Sequence, residues 1–591
     1  MEFNEKQLEA INFKDGACSI IAGAGSGKST VLVNRMKKMV EGGVKEKELL
    51  AISFTNNSAS DLKKKLEKVG LSNVTVGTFH KICGRILTLE GINIDRQLAL
   101  YEIENVFHKI DKKPLTKEIM SWIGYNKSYM CGVDDKFKLK ESEHYTESEL
   151  REFYRAYEKY KKNQEALDFD DWLLIANEIL EKKPKKYTCK YILIDEQQDN
   201  NLIQNEIMKK LCPSGNIMVI GDFRQCLYGF RGSSPELFMD FDKQFPNAKI
   251  INLDYNYRSK KNIVDNANKF MKYFYGDYRY YSDSIANDKE LGDIKIIENI
   301  TKEQEANDII DLVKKDLASG VDPKDIAILY RLNQNSFHIE NALKTEGIDY
   351  HIESNNNFFN RKEINVIVCM LRLIQNKDDN LAYNEIYKAR VNPFDFMSNS
   401  MLYTISDYAD LHDISLLEAS KEVQVEKAWQ RNKLDTFIRI LNNLTTQHRM
   451  GSDLRTIVNG IIHSLDIEGY ITSKYEEGEE MEERLESIEA LKSFIRSNTL
   501  DSFLKFVYTS SKKKKKNKDS KVQLMTIHKS KGLEFKNTYI IGIEDGKFPS
   551  KRGNLIEEAR IFYVGITRPK ENLIISHLGK SSFVEIYKGN N

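Results

Sequence analysis

Short apolar runs recur along the chain, each closed by glycine or a polar residue. CSIIAG, LLAISF, YILID, IMVIGD and IINLD fall in the first half, and DIAILYR, VQLMTI, TYIIGI and NLIIS follow later. Runs of this kind, without polar alternation, suit strands buried on both faces, as in parallel sheets. Helix-patterned segments lie between them, so the alternation predicts doubly wound sheets, and two separated groups of strands predict two. Two stretches break the alternation. Residues near 90–165 (REFYRAYEKYKKNQEAL) and from 373 to 518 are helical in pattern, with few strand runs. The expected fold is α/β: two doubly wound parallel-sheet cores, each interrupted by a mainly helical insertion. The expected segments are 1–88 and 163–272 for the first core, 89–162 for its insert, 273–372 and 519–591 for the second core, and 373–518 for its insert.

Composition narrows the class. The chain has 591 residues, 41% hydrophobic and 30% charged, with 9 prolines and a formal net charge of +1. That is material for roughly four domains. A near-neutral balance means that any nucleic-acid site must be a local patch. The seven cysteines, Cys18, Cys83, Cys131, Cys189, Cys212, Cys226 and Cys369, form no C-x-x-C pair. Such a set argues for a reducing cytoplasm and against a zinc site or disulfide framework. The opening MEFNEKQLEA carries no apolar signal core, and no run approaches the ~20 residues of a membrane helix. A cytoplasmic enzyme without membrane contact is expected.

The chemistry starts at IIAGAGSGKST. A strand-like run leads into Ala22, Gly23, Ala24, Gly25, Ser26, Gly27, Lys28, Ser29 and Thr30, and a helix-compatible run follows. The glycines let backbone N–H groups converge on phosphate oxygens, Lys28 reaches the β- and γ-phosphates, and the Ser29 hydroxyl joins a Mg²⁺ shell. ATP and Mg²⁺ are therefore the expected cofactors. YILIDEQQD supplies the carboxylates such a loop needs: Asp195 to hold Mg²⁺ through water and Glu196 to activate the attacking water. In IMVIGDFRQCLYGFRGS, Gln225 follows the next strand closely enough to sense the γ-phosphate. Tyr228, Phe230 and Arg231 then form an aromatic and cationic loop suited to stacking unpaired bases.

These stretches, in this order, resemble the UvrD/Rep-type helicases of superfamily 1, and the resemblance runs almost end to end. FNEKQLEAI resembles the Q motif, which implies that Gln7 reads the adenine edge. AISFTNNSASDLKKKL and VGTFHKIC resemble motifs Ia and Ib, implying contacts from Phe54, Thr55, Asn56, Thr78 and His80 to single-stranded DNA. DFDDWL resembles the segment that precedes the family's paired carboxylates. LDYNYRS resembles motif IV, making Tyr257 the platform for adenine and Arg258 an arginine finger. AILYRLNQNSFHIENAL and FFNRKEI resemble the start of the second core, with Arg361 as a DNA contact. VQLMTIHKSKGLEF resembles motif V, with His528 near DNA and Glu534 near the ribose. EEARIFYVGITRPK resembles motif VI, with Arg568 as the second finger. The resemblance implies two RecA-like cores and ATP-driven 3′→5′ movement along single-stranded DNA, with 3′-tailed duplex as a substrate and a loading or stimulating protein as a potential partner.

The chain departs from the family pattern in three places. Thr30 stands where an arginine commonly flanks the adenine, and Phe223 and Arg224 replace the usual acidic or Pro-Lys pair. The stretch that carries an aromatic separation hairpin in relatives is abbreviated to His577, Leu578, Gly579 and Lys580, and neither a partner-binding tail nor a nuclease domain is expected. Strong duplex separation is therefore less expected than ATP hydrolysis and translocation. Two rival readings stay open: a translocase that strips proteins or works only in a complex, and a nucleotide switch without a motor. The switch would have no use for FTNN and GTFH beside the phosphate loop. Outside the motifs, Lys512 to Lys516 reads either as a solvated linker or as a DNA-backbone contact. The aromatic cluster MKYFYGDYRYY reads as interface packing rather than a base-stacking platform.

Overall fold

The computed structural model describes residues 3–589 except 230–231, 353–357, 476–478, 496–498, 512–520 and 552. Phe230, Arg231 and the Lys512–Lys516 run lie outside the described residues. Six strands form the first sheet: β1 (Cys18–Ala22), β2 (Leu49–Ile52), β3 (Thr75–Gly77), β4 (Tyr191–Ile194), β5 (Ile217–Gly221) and β6 (Lys249–Leu253). Their order is β3-β2-β4-β5-β1-β6, with every neighbouring pair parallel. Ile20 of β1 pairs with Ile220 on one side and Ile251 on the other. Every residue of β1, β2, β4 and β5 is buried, which explains why these strands read as uninterrupted apolar runs.

A two-stranded parallel pair, β7 (Tyr255–Asn256) with β8 (Ile285–Ala286), follows the first sheet. The second sheet contains β9 (Asp293–Asn299), β10 (Ile326–Tyr330), β11 (Tyr350–Ile352), β12 (Val522–Thr526), β13 (Phe535–Ile543) and β14 (Pro569–Leu578). Its order is β11-β12-β10-β13-β14-β9, again all parallel. The two expected α/β cores are therefore present, and both are RecA-like. Parallel strands place all carboxyl ends on one edge of each sheet, where ligands bind in open α/β folds.

The first insert packs the helices Leu100–Phe107, Thr116–Ser128 and Glu147–Asn163 around Phe107, Trp122, Phe153, Tyr154 and Tyr157. Charge ties it to the first core. Lys127 lies 2.7 Å from Asp168 and 2.8 Å from both Asp171 and Glu158. Lys161 adds contacts of 2.9, 2.6 and 2.7 Å to Asp168, Asp171 and Glu158. Asp168 also caps the helix Phe169–Lys182 by accepting from the Asp171 N–H, so DFDD is both a helix start and an ionic anchor.

The second insert has its own core, running from Ile364 in the helix Lys362–Gln375 to Phe503 in the helix Leu500–Ser511. The helix Lys362–Gln375 crosses the expected limit at 372 and packs with the helical body. The helix Lys261–Tyr275 likewise crosses the limit at 272: Phe270 lies 4.9 Å from Phe562 and 5.4 Å from Phe583, both in the second core. The aromatic cluster at its end packs at the interface, as expected, with Tyr275 and Tyr278 edge-on to Phe223 at 5.1 and 5.0 Å. Among the described residues, no helix is long and apolar enough to cross a membrane.

Candidate functional site

The phosphate loop follows β1 and opens the helix Lys28–Glu41. Gly25 and Gly27 have φ of +69° and +82°, a region in which L side chains are strained. Space demands glycine at Gly25 as well: a Cβ would lie 2.7 Å from the Arg258 Cβ and 2.8 Å from Asn256 Oδ1. The Lys28 ammonium donates to the Ala22 carbonyl at 3.3 Å, turned back into the loop where a phosphate would draw it. Among the described residues the buried Ser26 hydroxyl has no partner. Positive-φ glycines, a lysine at the helix N-terminus and a free hydroxyl suit a nucleotide's phosphates.

Gln7 lies against this loop, its amide nitrogen donating to the Ser26 carbonyl at 3.2 Å while its Oε1 accepts from the Asn4 N–H at 3.2 Å. Tyr257 is half-exposed, donates its N–H to the Gly25 carbonyl at 2.9 Å, and has its hydroxyl 2.9 Å from Asn4 Nδ2. Gln7, Tyr257 and the loop thus meet on one side. Thr30 sits in the first turn of the loop helix, and its carbonyl accepts from Asn34.

Asp195 and Glu196 follow β4, with Glu196 in the left-handed region at φ +57°. That turn aims neighbouring carboxylates in different directions, and their environments differ accordingly. Burial and the Glu196 charge push Asp195 up to about 7. Glu196 is held down to about 2: burial opposes its charge, but Lys28, Lys531, a Gln198 hydrogen bond and Arg568 outweigh it. Two neighbouring carboxyls in environments this different can take different roles at one site.

The second core completes the site. Arg568, only 1% exposed, donates to Gln225 Oε1 at 3.2 Å, and Gln225 donates to Asp222 Oδ2 at 2.7 Å. Arg258 bridges the same seam, donating to Glu534 Oε2 and to the Thr567 carbonyl, each at 3.0 Å. Burial and the nearby Arg258 charge lower Arg568 to about 9.

Lys531 is not among the residues singled out from sequence. From the second core it contacts Asp199, donates to the Gln225 carbonyl at 2.9 Å, and lies 3.7 Å from Glu196. In the sequence it is one of two lysines in HKSKGLEF, three positions before Glu534, with nothing local to tie it to DEQQD. Only the three-dimensional meeting of the cores reveals the contact.

On the other side of Lys531 lie the aromatics. Its ammonium sits 5.6 Å from the Tyr228 ring centroid, and Tyr228 tilts against Phe54 at 4.8 Å. Thr55 caps the helix Asn56–Lys68 and Thr78 caps the helix Phe79–Leu89, so two helix N-termini project beyond β2 and β3. His80 meets the half-exposed Phe169 edge-on at 5.9 Å. His528 is lowered to about 4 by burial and by Arg331 and Lys531, so it is neutral at pH 7. Arg361 is not brought to this surface: it donates to Glu483 at 2.7 Å and stacks on Phe337 at the foot of the second insert.

Two parallel-sheet cores, with an arginine of one reaching the glutamine beside the other's phosphate loop, define a two-core P-loop ATPase. The model of the UvrD/REP helicase N-terminal domain matches residues 3–246, and that of the UvrD-like helicase C-terminal domain matches 251–580. The chain belongs to the UvrD/Rep helicase family and is an ATP-dependent DNA helicase. It is 28% identical to the ATP-dependent DNA helicase Rep of Buchnera aphidicola (subsp. Schizaphis graminum), over 98% of this chain and 93% of that one. It is 29% identical to the ATP-dependent DNA helicase PcrA of Bacillus subtilis, over 97% and 82%. DNA helicase II of Haemophilus influenzae is also 29% identical, over 97% and 84%.

Proposed function

We propose that the protein moves 3′→5′ along single-stranded DNA, one cycle of ATP hydrolysis driving one closing and opening of the two cores. The observation that carries the coupling is the Arg568–Gln225 hydrogen bond, which joins the far end of the chain to the first core's Gln225 loop; the direction rests on the family resemblance alone. An arginine supplied across an interface stabilises transition-state charge only when the interface is closed, so hydrolysis and closure become one event.

In this reading Ala22 to Thr30 cradle the phosphates, with Lys28 on the β- and γ-oxygens. Gln7 meets the adenine edge, Tyr257 stacks on the base and Glu534 lies at the ribose. Ser29 and Asp195 would hold Mg²⁺, which supplies charge neutralisation between the phosphates. Glu196 takes the proton of the attacking water. Arg258 and Arg568 meet the γ-phosphate charge. The strand is gripped by Phe54, Tyr228, His80 and His528, with Thr55, Asn56 and Thr78 at two helix N-termini that suit backbone phosphates. The parse into two cores with inserts at 89–162 and 373–518 belongs to the same proposal, its limits at 272 and 372 falling inside helices as described above.

A weaker form, translocation with little duplex opening, is favoured by one feature. Leu578 ends β14 and the helix Ser582–Lys588 begins four residues later, so only Gly579, Lys580 and Ser581 stand where an aromatic hairpin is expected. His577 and Leu578 belong to the strand, making the connection shorter than the sequence suggested.

The test is Arg568→Ala. ATP binding should survive while turnover in saturating single-stranded DNA falls on the order of 10³-fold. Normal turnover would remove the finger assignment. Polarity is read separately, from displacement on 3′- and 5′-tailed substrates, and activity confined to 5′ tails would reverse the proposed direction.

A further inference from the structure

Arg224 is a large cation in the wrong place for solvent. It is 3% exposed and sits between Asp222 and Gln225. Its Nε donates to Asp222 Oδ1 at 2.7 Å and its Nη1 to the Ser282 carbonyl at 3.3 Å. The guanidinium lies 5.4, 5.9 and 5.6 Å from the ring centroids of Phe223, Tyr281 and Tyr563. A Cβ on Gly23 of the phosphate loop would come within 3.0 Å of its Nη2. One side chain therefore touches the phosphate loop's flank, the linker after the first core, and the second core's helix Leu555–Ile566.

Tyr563 is the informative partner. It lies in that helix one residue before Val564, whose carbonyl accepts from Arg568 Nε at 2.9 Å. A planar cation packed on the Tyr563 ring fixes the end of the helix that carries the finger. Gln225, the next residue after Arg224, receives that finger directly. Two adjacent residues thus meet the second core at two points, one at the finger and one at its base.

We infer that Arg224 is a positioning residue for hydrolysis: through Tyr563 it sets the register of the finger helix, so that Arg568 meets Gln225 and the phosphate site when the cores close. This rests on the finger reading above. The residue touches no reacting group itself, and a lysine could not replace it, because an ammonium lacks the planar face and the forked donors that span Ser282 and the rings.

The test compares Arg224→Lys, Tyr563→Leu, their double variant, Tyr563→Phe and Arg568→Ala by steady-state ATP hydrolysis in saturating single-stranded DNA. Lysine keeps a cation beside the buried Asp222, so that carboxylate is not left unpaired. Without the planar face and forked donors the hold on Tyr563 weakens, and kcat should fall by up to about 30-fold, with KM for ATP little changed. Tyr563→Leu should lose about as much, the double no more than either single, and Tyr563→Phe should recover turnover because it keeps the ring. Wild-type kcat in Arg224→Lys, a double variant that loses the product of the two singles, or a fall confined to KM would each overturn the inference. If Arg224→Lys melts early, the Leu and Phe variants of Tyr563 decide it alone: equal kcat in the two overturns it. Normal turnover by Arg568→Ala removes the finger reading itself, whereas normal turnover by Arg224→Lys beside an inactive Arg568→Ala removes only the coupling.

Discussion

The DFDD and DEQQD segments each bury carboxylates beside lysines, and the two clusters behave in opposite ways. Around DFDD, the carboxylates of Glu158, Asp168 and Asp171 approach closely enough to share a metal ion, but the ammonium groups of Lys127 and Lys161 already stand among them. Burial would push Asp168 up, yet the two lysines hold it below the ordinary carboxylate range. Lys127 in turn is held well above its usual value despite burial. Charge is closed on itself there. Around DEQQD the partners come from both cores, and Asp195 and Glu196 are driven in opposite directions. A cluster satisfied between the first core and its own insert anchors. One completed only across a seam is poised to change when the seam moves.

The sharpest way to break this contrast is Glu196→Gln, which keeps shape and removes the base. Turnover should fall by about 10³–10⁴-fold while ATP and DNA binding and the melting midpoint stay near those of the unaltered protein. Near-normal hydrolysis would place the base elsewhere.

Lys127→Met should do the reverse. Leaving buried carboxylates short of a cation costs about 3–5 kcal/mol, read as a lower denaturant midpoint, with turnover per folded molecule preserved. The pH dependence carries the sign. Asp168 has a depressed pKa, so its stabilisation is present at neutral pH and is lost as pH falls through and below the usual aspartate range. Asp168→Asn still caps the helix, so its stability deficit should be largest at neutral pH and narrow on acidification. A deficit independent of pH would mean the cap, not the charge, matters.

Smaller effects sharpen the seam's outer face. Tyr228→Ala should weaken single-stranded DNA binding by about 1–3 kcal/mol, equally for mixed and poly-T strands, because stacking does not read sequence. A loss confined to one sequence would indicate base-edge contacts. Smallest per step is the duplex itself. With only a three-residue turn after β14, opening should follow spontaneous fraying, against ~1.4 kcal/mol of stacking per step. Single-turnover unwinding of 3′-tailed duplexes should then slow with G·C content. Fast, composition-independent unwinding by a monomer would require a wedge elsewhere, and the second insert would be the place to seek it.

Much of this was legible in the residues because parallel strands must be apolar on both faces, and because phosphate loops need glycine where φ is positive. The strand runs and their two groups, Gly25, Gly27 and the Asp195–Glu196 pair follow from such local rules. What was not legible depends on chains meeting. Lys531 reads as one more lysine until the second core brings it to Asp199 and Glu196. Arg361 looks like a free cation until Glu483 and Phe337 engage it. Arg224 looks like a surface substitution in a loop, yet it is buried under three rings. The limits at 272 and 372 missed for a related reason: an amphipathic helix shows that it has a buried face without showing which body buries it.

The turn Gly579–Ser581 has a consequence for engineering. Gly579 sits at φ +60° with open space where a side chain would stand, and both flanking elements are anchored, β14 in its sheet and the following helix through Phe583 and Tyr587. Lengthening such a connection costs only about 0.6 kcal/mol per doubling. A longer hairpin grafted at Gly579 would therefore meet open space rather than the cores.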